Sequence, residues 1–370
     1  MLRECASPVP DFGNLGELVR KVDWAELLRT AEHHNVLGHI ATRLYELEDD
    51  SVPDGIKQFL RERHREQVFA SLKMSAELFR LMDRLTSAGV EAIAIKGPVL
   101  AAQAYADPAT RSYNDLDLLV RQRDIQHATE VMIAEGYQPQ VPLTALATGK
   151  IPGQFFFKNP ESQMIVEMHN ENTLRYFPRR LPIEKVFRRR ISVLIHGRSV
   201  PALSVEDSLV LICIHGAKHF WGRLMWIADV AGLLARQQKI NWEQSAAAAS
   251  EVRAEHMLHA GLQLAADLLN APLPIQIAEK IRGDTAATQI TKQVLKWLPE
   301  AEEREPALLQ RALFRMRMRG GIFAASGYLL RLSLSPTEDD WSEAVGDRRH
   351  WVLDSLLRPL RLARKYGRKR

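Results

Sequence analysis

The apolar residues of this chain change their spacing twice, and that change limits the folds open to it. From about residue 14 to 85 they recur every three or four positions, as on helices with one buried face. Leu15, Leu18, Val19 and Val22 begin the pattern, and Trp24, Leu27, Leu28 and Ala31 continue it. Pro53 then opens a long helical segment whose stripe is expected at Phe59, Phe69, Leu72, Leu78, Leu81, Met82 and Leu85. Ser87-Ala88-Gly89 stops it. Beyond that point the runs become short and β-branched. Val90–Ile95, Leu116–Val120 and Gln163–His169 read as strands, and Ile191–Ile195 with Ser199–Leu203 as a hairpin turning at His196-Gly197. Phe155-Phe156-Phe157 reads as a further buried strand, and helical stretches near 98–105 and 123–135 separate the first strands. Ser204, three residues before Asp207, looks like a helix start. From there the helical period returns over 205–220, 223–236, 241–249, 253–269, 285–298 and 305–333. The pattern predicts a mostly helical α+β chain with a small mixed sheet. Its parts are an N-terminal helical region (1–87), an α/β core (88–203), a C-terminal helical domain (204–347) and a basic tail (348–370).

Composition removes whole classes. With 46% hydrophobic residues over 370 positions, the chain can bury a sizeable core, and its 20 Gly, 18 Pro and 2 Cys fit neither a collagen nor a disulfide scaffold. No apolar run approaches the roughly 18 residues of a membrane-spanning helix. Met1–Gly13 lacks the apolar centre of a secretory signal, and Cys5 and Cys213 match no metal or redox spacing. A cytoplasmic protein without a transmembrane segment is expected. The net charge of +5 is a property of the tail, where nine Lys/Arg face one acid, Asp354, between 348 and 370. The rest of the chain has a slight acidic excess, so nucleic acid is not an expected partner. The tail's leucines are expected to pack inward. Its arginines and lysines over 358–370 could add weak peripheral contact with an anionic membrane.

The chemistry concentrates between residues 95 and 169. On a strand, Asp115 and Asp117 point to one face while Leu116 and Leu118 point to the other. Two adjacent carboxylates repel unless a cation sits between them, and a hard divalent ion such as Mg²⁺ is the usual solution. The spacing alone would equally suit two acids on a solvated strand edge. Lys96-Gly97 ends one strand and leads into a helix, where glycine admits a phosphate close to the backbone. Glu167 should share a face with His169, opposite Val166 and Met168, and would supply a third carboxylate. Arg111 could grip phosphate, or pair with Asp115 or Asp107. His215 and His219 share a helix face with Lys218 beside them. They could wall the cleft against the nucleotide, or pack at a polar interface. If that helix runs past Gly222, Trp226 and Asp229 extend the stripe. Tyr105 reads as a packing residue, and His33-His34 as an inert pair on a polar helix face. No P-loop, GxSxG or GxGxxG motif offers another enzyme class a foothold.

Gly97, then Asp115-Leu116-Asp117, then Glu167 resemble the signature of the DNA polymerase beta-type nucleotidyltransferase superfamily. More closely, IKGPVLAAQAYADPATRSYNDLDLLV, VEMHNE, HGAKHFWGRLMWIADVAGLL and the late SPTEDDW and LLRPLRLARKYG are similar to a bacterial family of uncharacterised nucleotidyltransferases, over roughly residues 25–365. The resemblance implies a nucleotidyltransferase fold for the core, with Asp115, Asp117 and Glu167 as catalytic metal ligands. The reading that follows is Mg²⁺- or Mn²⁺-dependent transfer of a nucleoside monophosphate from an NTP to an acceptor hydroxyl on a small molecule or protein. Lys96, Gly97, Arg111, His215, Lys218 and His219 are its candidate nucleotide-binding residues. The superfamily has Gly-Ser or Gly-Gly where this chain has Gly97-Pro98. Proline suits a first helical turn but offers neither hydroxyl nor amide to a triphosphate. The alternative is therefore a catalytically inactive nucleotide-binding or regulatory protein that retains the fold.

Overall fold

Pro53 closes a loop with its fixed φ, and the chain then runs helical for 34 residues, about 51 Å at 1.5 Å per residue. The computed structural model describes residues 1–47, 50–140, 153–172, 179–237, 239–300, 307–321 and 326. Helices α1 (Leu2–Ala6), α2 (Phe12–Val19), α3 (Trp24–His33) and α4 (Leu37–Leu47) precede the long α5 (Asp54–Ser87). Asp11 and Asp23 cap α2 and α3, accepting from the N–H of Asn14 and from those of Ala25 and Glu26. The buried seam of α5 includes Ser71, Met74, Ser75, Leu78, Leu81, Met82 and Leu85. Phe69 and Leu72 do not belong to the seam as expected: they are 66% and 43% exposed. The two serines misdirect a hydropathy count. They are small enough to admit Tyr113, whose hydroxyl lies 2.7 Å from Ser71 Oγ. His34 departs from expectation too. It is buried where α3 ends, and its Nδ1 accepts from the N–H of Leu224 at 3.4 Å.

The sheet comprises β1 (Ile93–Ala94), β2 (Asp115–Leu119), β3 (Gln138–Pro139), β4 (Gln154–Lys158), β5 (Ile165–His169), β6 (Ile191–Ile195) and β7 (Arg198–Ala202), in the order β3-β4-β5-β2-β1-β7-β6. Pairs β2–β5 and β1–β7 are parallel and the rest antiparallel. The crossovers that parallel pairing demands include α6 (Pro98–Ala104), α7 (Ile125–Ala134) and α8 (Ile183–Arg189). Strand β5 starts later than expected because Gln163 takes a left-handed φ of 58°. The β6–β7 hairpin turns at His196 and Gly197, both at positive φ, which suits the twist of a tight hairpin. Leu116, Leu118, Val166, Met168, Phe155 and Phe157 bury one sheet face against α5 and α7. Ile93, Ile95 and Leu119 on the other face pack with Phe187 of α8 and Leu203. Alternation along β2 and β5 puts Asp117 and Glu167 on this second face.

Helices α9 (Val205–Lys218), α10 (Leu224–Arg236), α11 (Trp242–Glu251), α12 (Glu255–Leu269), α13 (Ile275–Arg282), α14 (Thr285–Trp297) and α15 (Leu308–Arg317) follow. Ser204 Oγ accepts from the N–H of Asp207 at 3.1 Å, as a helix start should. Arg189 grips the Asp207 carboxylate through two hydrogen bonds of 2.9 and 2.7 Å. Only Ile281 of α13 is fully buried, with Ile277 packed beside it, so that helix carries only a short apolar period. The helix holding His215 does not run on through Gly222: Phe220 and Trp221 adopt left-handed φ of 57° and 54°, and α10 starts anew. One apolar cluster joins Leu15 and Ile40 of the N-terminal helices, Leu100 and Ala104 of α6, and Trp221 and Leu262. None of the described helices is long and apolar enough to cross a membrane. The basic tail at 348–370, with its packing and membrane-contact expectations, lies outside the described residues.

Helix α10 seats α6 at Gly232, where a Cβ would stand 2.6 Å from the Ala104 carbonyl oxygen. Gly232→Ala should wedge the two helices apart and cost about 1–3 kcal/mol, typical of overpacking. Urea titration followed by circular dichroism measures this. An unchanged midpoint would mean that the interface yields without cost.

Candidate metal and nucleotide site

Strands β2 and β5 pair in parallel register with Asp117 opposite Glu167. Ligand-capable atoms of Asp117, Glu167 and His169 all lie within 4.8 Å of one another. Lys96, just after β1, places Nζ 2.7 Å from Asp117 Oδ1. His169 Nε2 lies 2.9 Å from that same oxygen and 3.5 Å from Glu167 Oε2. Gln154, on β4, donates from Nε2 to Glu167 Oε2 at 2.7 Å. Each carboxylate thus has one oxygen held by protein donors. Among the described residues, Asp117 Oδ2 and Glu167 Oε1 accept no hydrogen bond, so both are available to a cation. Asp115 shares the strand face but stands outside this cluster. The residues fit a divalent ion: two oriented carboxylates with open oxygens, and a third one turn of the pleat away.

Charge follows the geometry. Burial, reinforced by the negative charge of Asp117, pushes the Asp115 carboxyl up to about 6 despite Lys96. Burial alone would raise Asp117 as well, but Lys96 and His169 hold it well below the usual carboxylate range. Burial lowers Lys96 and the three carboxylates more than reverse it, so its pKa lies above the ordinary lysine value. Burial likewise opposes charge on His169, and Asp117 and Glu167 outweigh it. Lys96 is the cation on which the site's ionisation rests.

Gly97 turns the chain from Lys96 into α6 with φ 58° and ψ −129°, a conformation that excludes ordinary side chains. A Cβ there would also stand 3.4 Å from the Asp115 carbonyl oxygen. Pro98 follows as the first residue of α6 and is buried. Arg111 meets neither Asp115 nor Asp107. Its Nε donates to both oxygens of Asp229 on α10, at 2.9 and 3.1 Å, and it is 5% exposed. Tyr105 does more than pack, donating its hydroxyl to the same Asp229 at 2.8 Å. Gln67 donates to the Arg111 carbonyl at 3.1 Å, so α5 and α10 both hold the loop that leads into β2. This places the Arg111 side chain in a structural pair, although its charge still acts on Asp115.

Helix α9 borders the cluster. His215 is half-buried, and its surroundings together with the Lys96 charge push it well below the ordinary histidine value. Its ring lies 4.7 Å from that of His219, which stacks at 5.0 Å on Trp226 of α10. Trp226 therefore reaches these histidines through the reversal at Phe220-Trp221, not through a continuous helix. Lys218 is half-buried on the same helix end. His169 is the residue of this cluster that sequence reasoning underrated. The Glu-x-His spacing on one strand face carried the signal. Gln154 carried none, because only the tertiary fold brings it in; Asp229 was read as part of the His215 stripe, and its pairing with Arg111 is a long-range contact.

The family model described as uncharacterised nucleotidyltransferase matches residues 20–270. The chain belongs to that family. Family membership supports nucleotidyl transfer in general terms and implies a nucleotide substrate. No curated protein matches the chain. Among solved structures, the chain is similar to an antigenic nucleotidyltransferase-like protein from Paracoccidioides brasiliensis, at 16% identity and a TM-score of 0.31, covering 53% of this chain and 95% of that one.

Removing the partner of a buried guanidinium leaves an uncompensated charge. Asp229→Ala should therefore cost about 3–5 kcal/mol in chemical denaturation, and Asp229→Asn less, since an amide oxygen still accepts from Arg111 and Tyr105. Equal losses for the two variants would remove the ion pair from the argument.

Proposed function

We propose that this nucleotidyltransferase-family protein transfers a nucleoside monophosphate from an NTP to an acceptor hydroxyl in a Mg²⁺- or Mn²⁺-dependent reaction. The single observation that carries the reading is the pair of open oxygens, Asp117 Oδ2 and Glu167 Oε1, on carboxylates placed side by side by in-register parallel strands. Asp115, Asp117 and Glu167 would hold the ion. Bound there, a divalent ion supplies charge neutralisation at the transferring phosphoryl group and makes the acceptor hydroxyl easier to deprotonate. Lys96 keeps Asp117 ionised and oriented. Glu167 assists removal of the acceptor proton. The acceptor oxygen forms a bond to the α-phosphorus as the bond to the bridging oxygen breaks, and pyrophosphate leaves with the electron pair. His215, Lys218 and His219 line the wall against which the nucleotide lies. The absence of apolar spanning helices among the described residues and the burial of both free cysteines suit a cytoplasmic setting.

A second reading rests on Pro98, which supplies no amide where the helix turn would meet phosphate. It is a protein that binds nucleotide without turnover. Thermal-shift titration with each NTP, with and without Mg²⁺ or Mn²⁺, is expected to show metal-dependent stabilisation. An acceptor screen with α-labelled NTP then tests turnover. Asp117→Asn should lower transfer by more than about 100-fold, beyond the range of changes to groups behind the ligands. Metal-nucleotide binding equal to wild type in that variant would overturn the site. Binding without transfer to any acceptor would favour the second reading.

A further inference from the structure

His169 stands where it could either ligate an ion or serve the carboxylates that do. The two roles place its proton differently. Nε2 is the nitrogen facing Asp117 Oδ1 at 2.9 Å and Glu167 Oε2 at 3.5 Å. Nδ1, on the other side of the ring, is buried and has no hydrogen-bond partner among the described residues. An imidazole that ligates through one nitrogen nearly always donates the proton on the other to a carboxylate, carbonyl or water. Ligation through Nε2 would force that proton onto Nδ1, where no protein acceptor meets it. A proton on Nε2 instead points at two carboxylate oxygens.

A second feature agrees. The oxygen that His169 contacts on Asp117 is the one Lys96 already holds at 2.7 Å, and the one it approaches on Glu167 is the one Gln154 holds at 2.7 Å. All three donors thus meet the same two oxygens, Asp117 Oδ1 and Glu167 Oε2. Among the described residues, no donor is found on the other two, Oδ2 and Oε1. A ligand would be expected among the open oxygens, whereas a bracket would sit where His169 sits.

We infer that His169 is a positioning residue: its Nε2–H bridges Asp117 and Glu167, and it does not itself ligate the ion. The inference rests on the reading of those carboxylates as ligands.

Two measurements on the full-length protein test it, one independent of any metal. In the metal-free protein, ¹⁵N spectra of labelled histidine, assigned with His169→Gln, should show the His169 proton on Nε2. A neutral ring protonated on Nδ1 instead would overturn the proposal, whatever the fate of the proposed function. In the second, Mn²⁺ is titrated and followed by electron paramagnetic resonance, with pulsed detection of nitrogen bonded to the ion. Wild type should bind Mn²⁺ without a directly bonded imidazole nitrogen. His169→Gln, whose Nε2 donor lies the same number of bonds from Cβ, should bind within about 3-fold of wild type. His169→Ala should lose about 10–100-fold, as changes behind metal ligands typically do. A nitrogen coupling that vanishes in His169→Gln, or equal losses in the two variants, would overturn the proposal. Failure of wild type to bind Mn²⁺ at all, with the proton on Nε2, would strike the proposed function and leave the bracket standing.

Discussion

Three carboxylates crowded on one face of a buried sheet stay ionised only beside a compensating charge, and the Lys96–Asp117 contact supplies it. Burial raises the cost of every charge there, and the mutual repulsion of the acids adds to it, most visibly at Asp115. The position of Lys96 is not left to a flexible side chain alone. The N–H of Ile95 donates to the Asp117 carbonyl at 3.0 Å, so the end of β1 is tied to β2 at the residue that Lys96 serves. Backbone pairing and charge pairing meet at one point.

The rest of the molecule can be understood as support for that point. Helices α5 and α7 fill the apolar side of β2 and β5, which fixes the direction in which their acidic side chains project. Gly97, at a positive φ that side chains rarely adopt, lets the chain leave Lys96 and turn at once into α6. The loop returning to β2 is clamped by Gln67 on one side and Asp229 on the other. Two sheet neighbours, Gln154 and His169, then fix the rotation of Glu167 and Asp117. The site is assembled from a rigid frame in which each donor has a backbone reason for its place.

Much of this was legible in the sequence, for reasons that are local. Period-two alternation gives the shared face of Asp115 and Asp117, and Pro53 with the apolar stripe gives α5 nearly to its ends. The motif blocks between Ile95 and Leu234 point to the family that the matching of residues 20–270 establishes. What remained hidden was either long-range or disguised by residue type. Nothing near Arg111 names Asp229, 118 positions away, as its partner. Ser71 and Ser75 look like surface residues, yet they form the seam of α5 because a tyrosine needs room. His34 looks polar and solvated, yet it meets the start of α10. The reversal at Phe220-Trp221 also escaped, since neither residue announces a left-handed turn.

The Arg111–Asp229 pair has one more consequence, for how such a protein can be taken apart or rebuilt. The loop feeding β2 borrows a carboxylate clamp from a helix beyond the sheet, and α6 shares its apolar cover with the same helices. The α/β core is therefore not a portable module. Grafted onto another helical scaffold, it would present a buried guanidinium with nothing to neutralise it, whatever the shape complementarity of the new partner. Any exchange of the helical region must deliver an anion at that depth, or change Arg111 together with it.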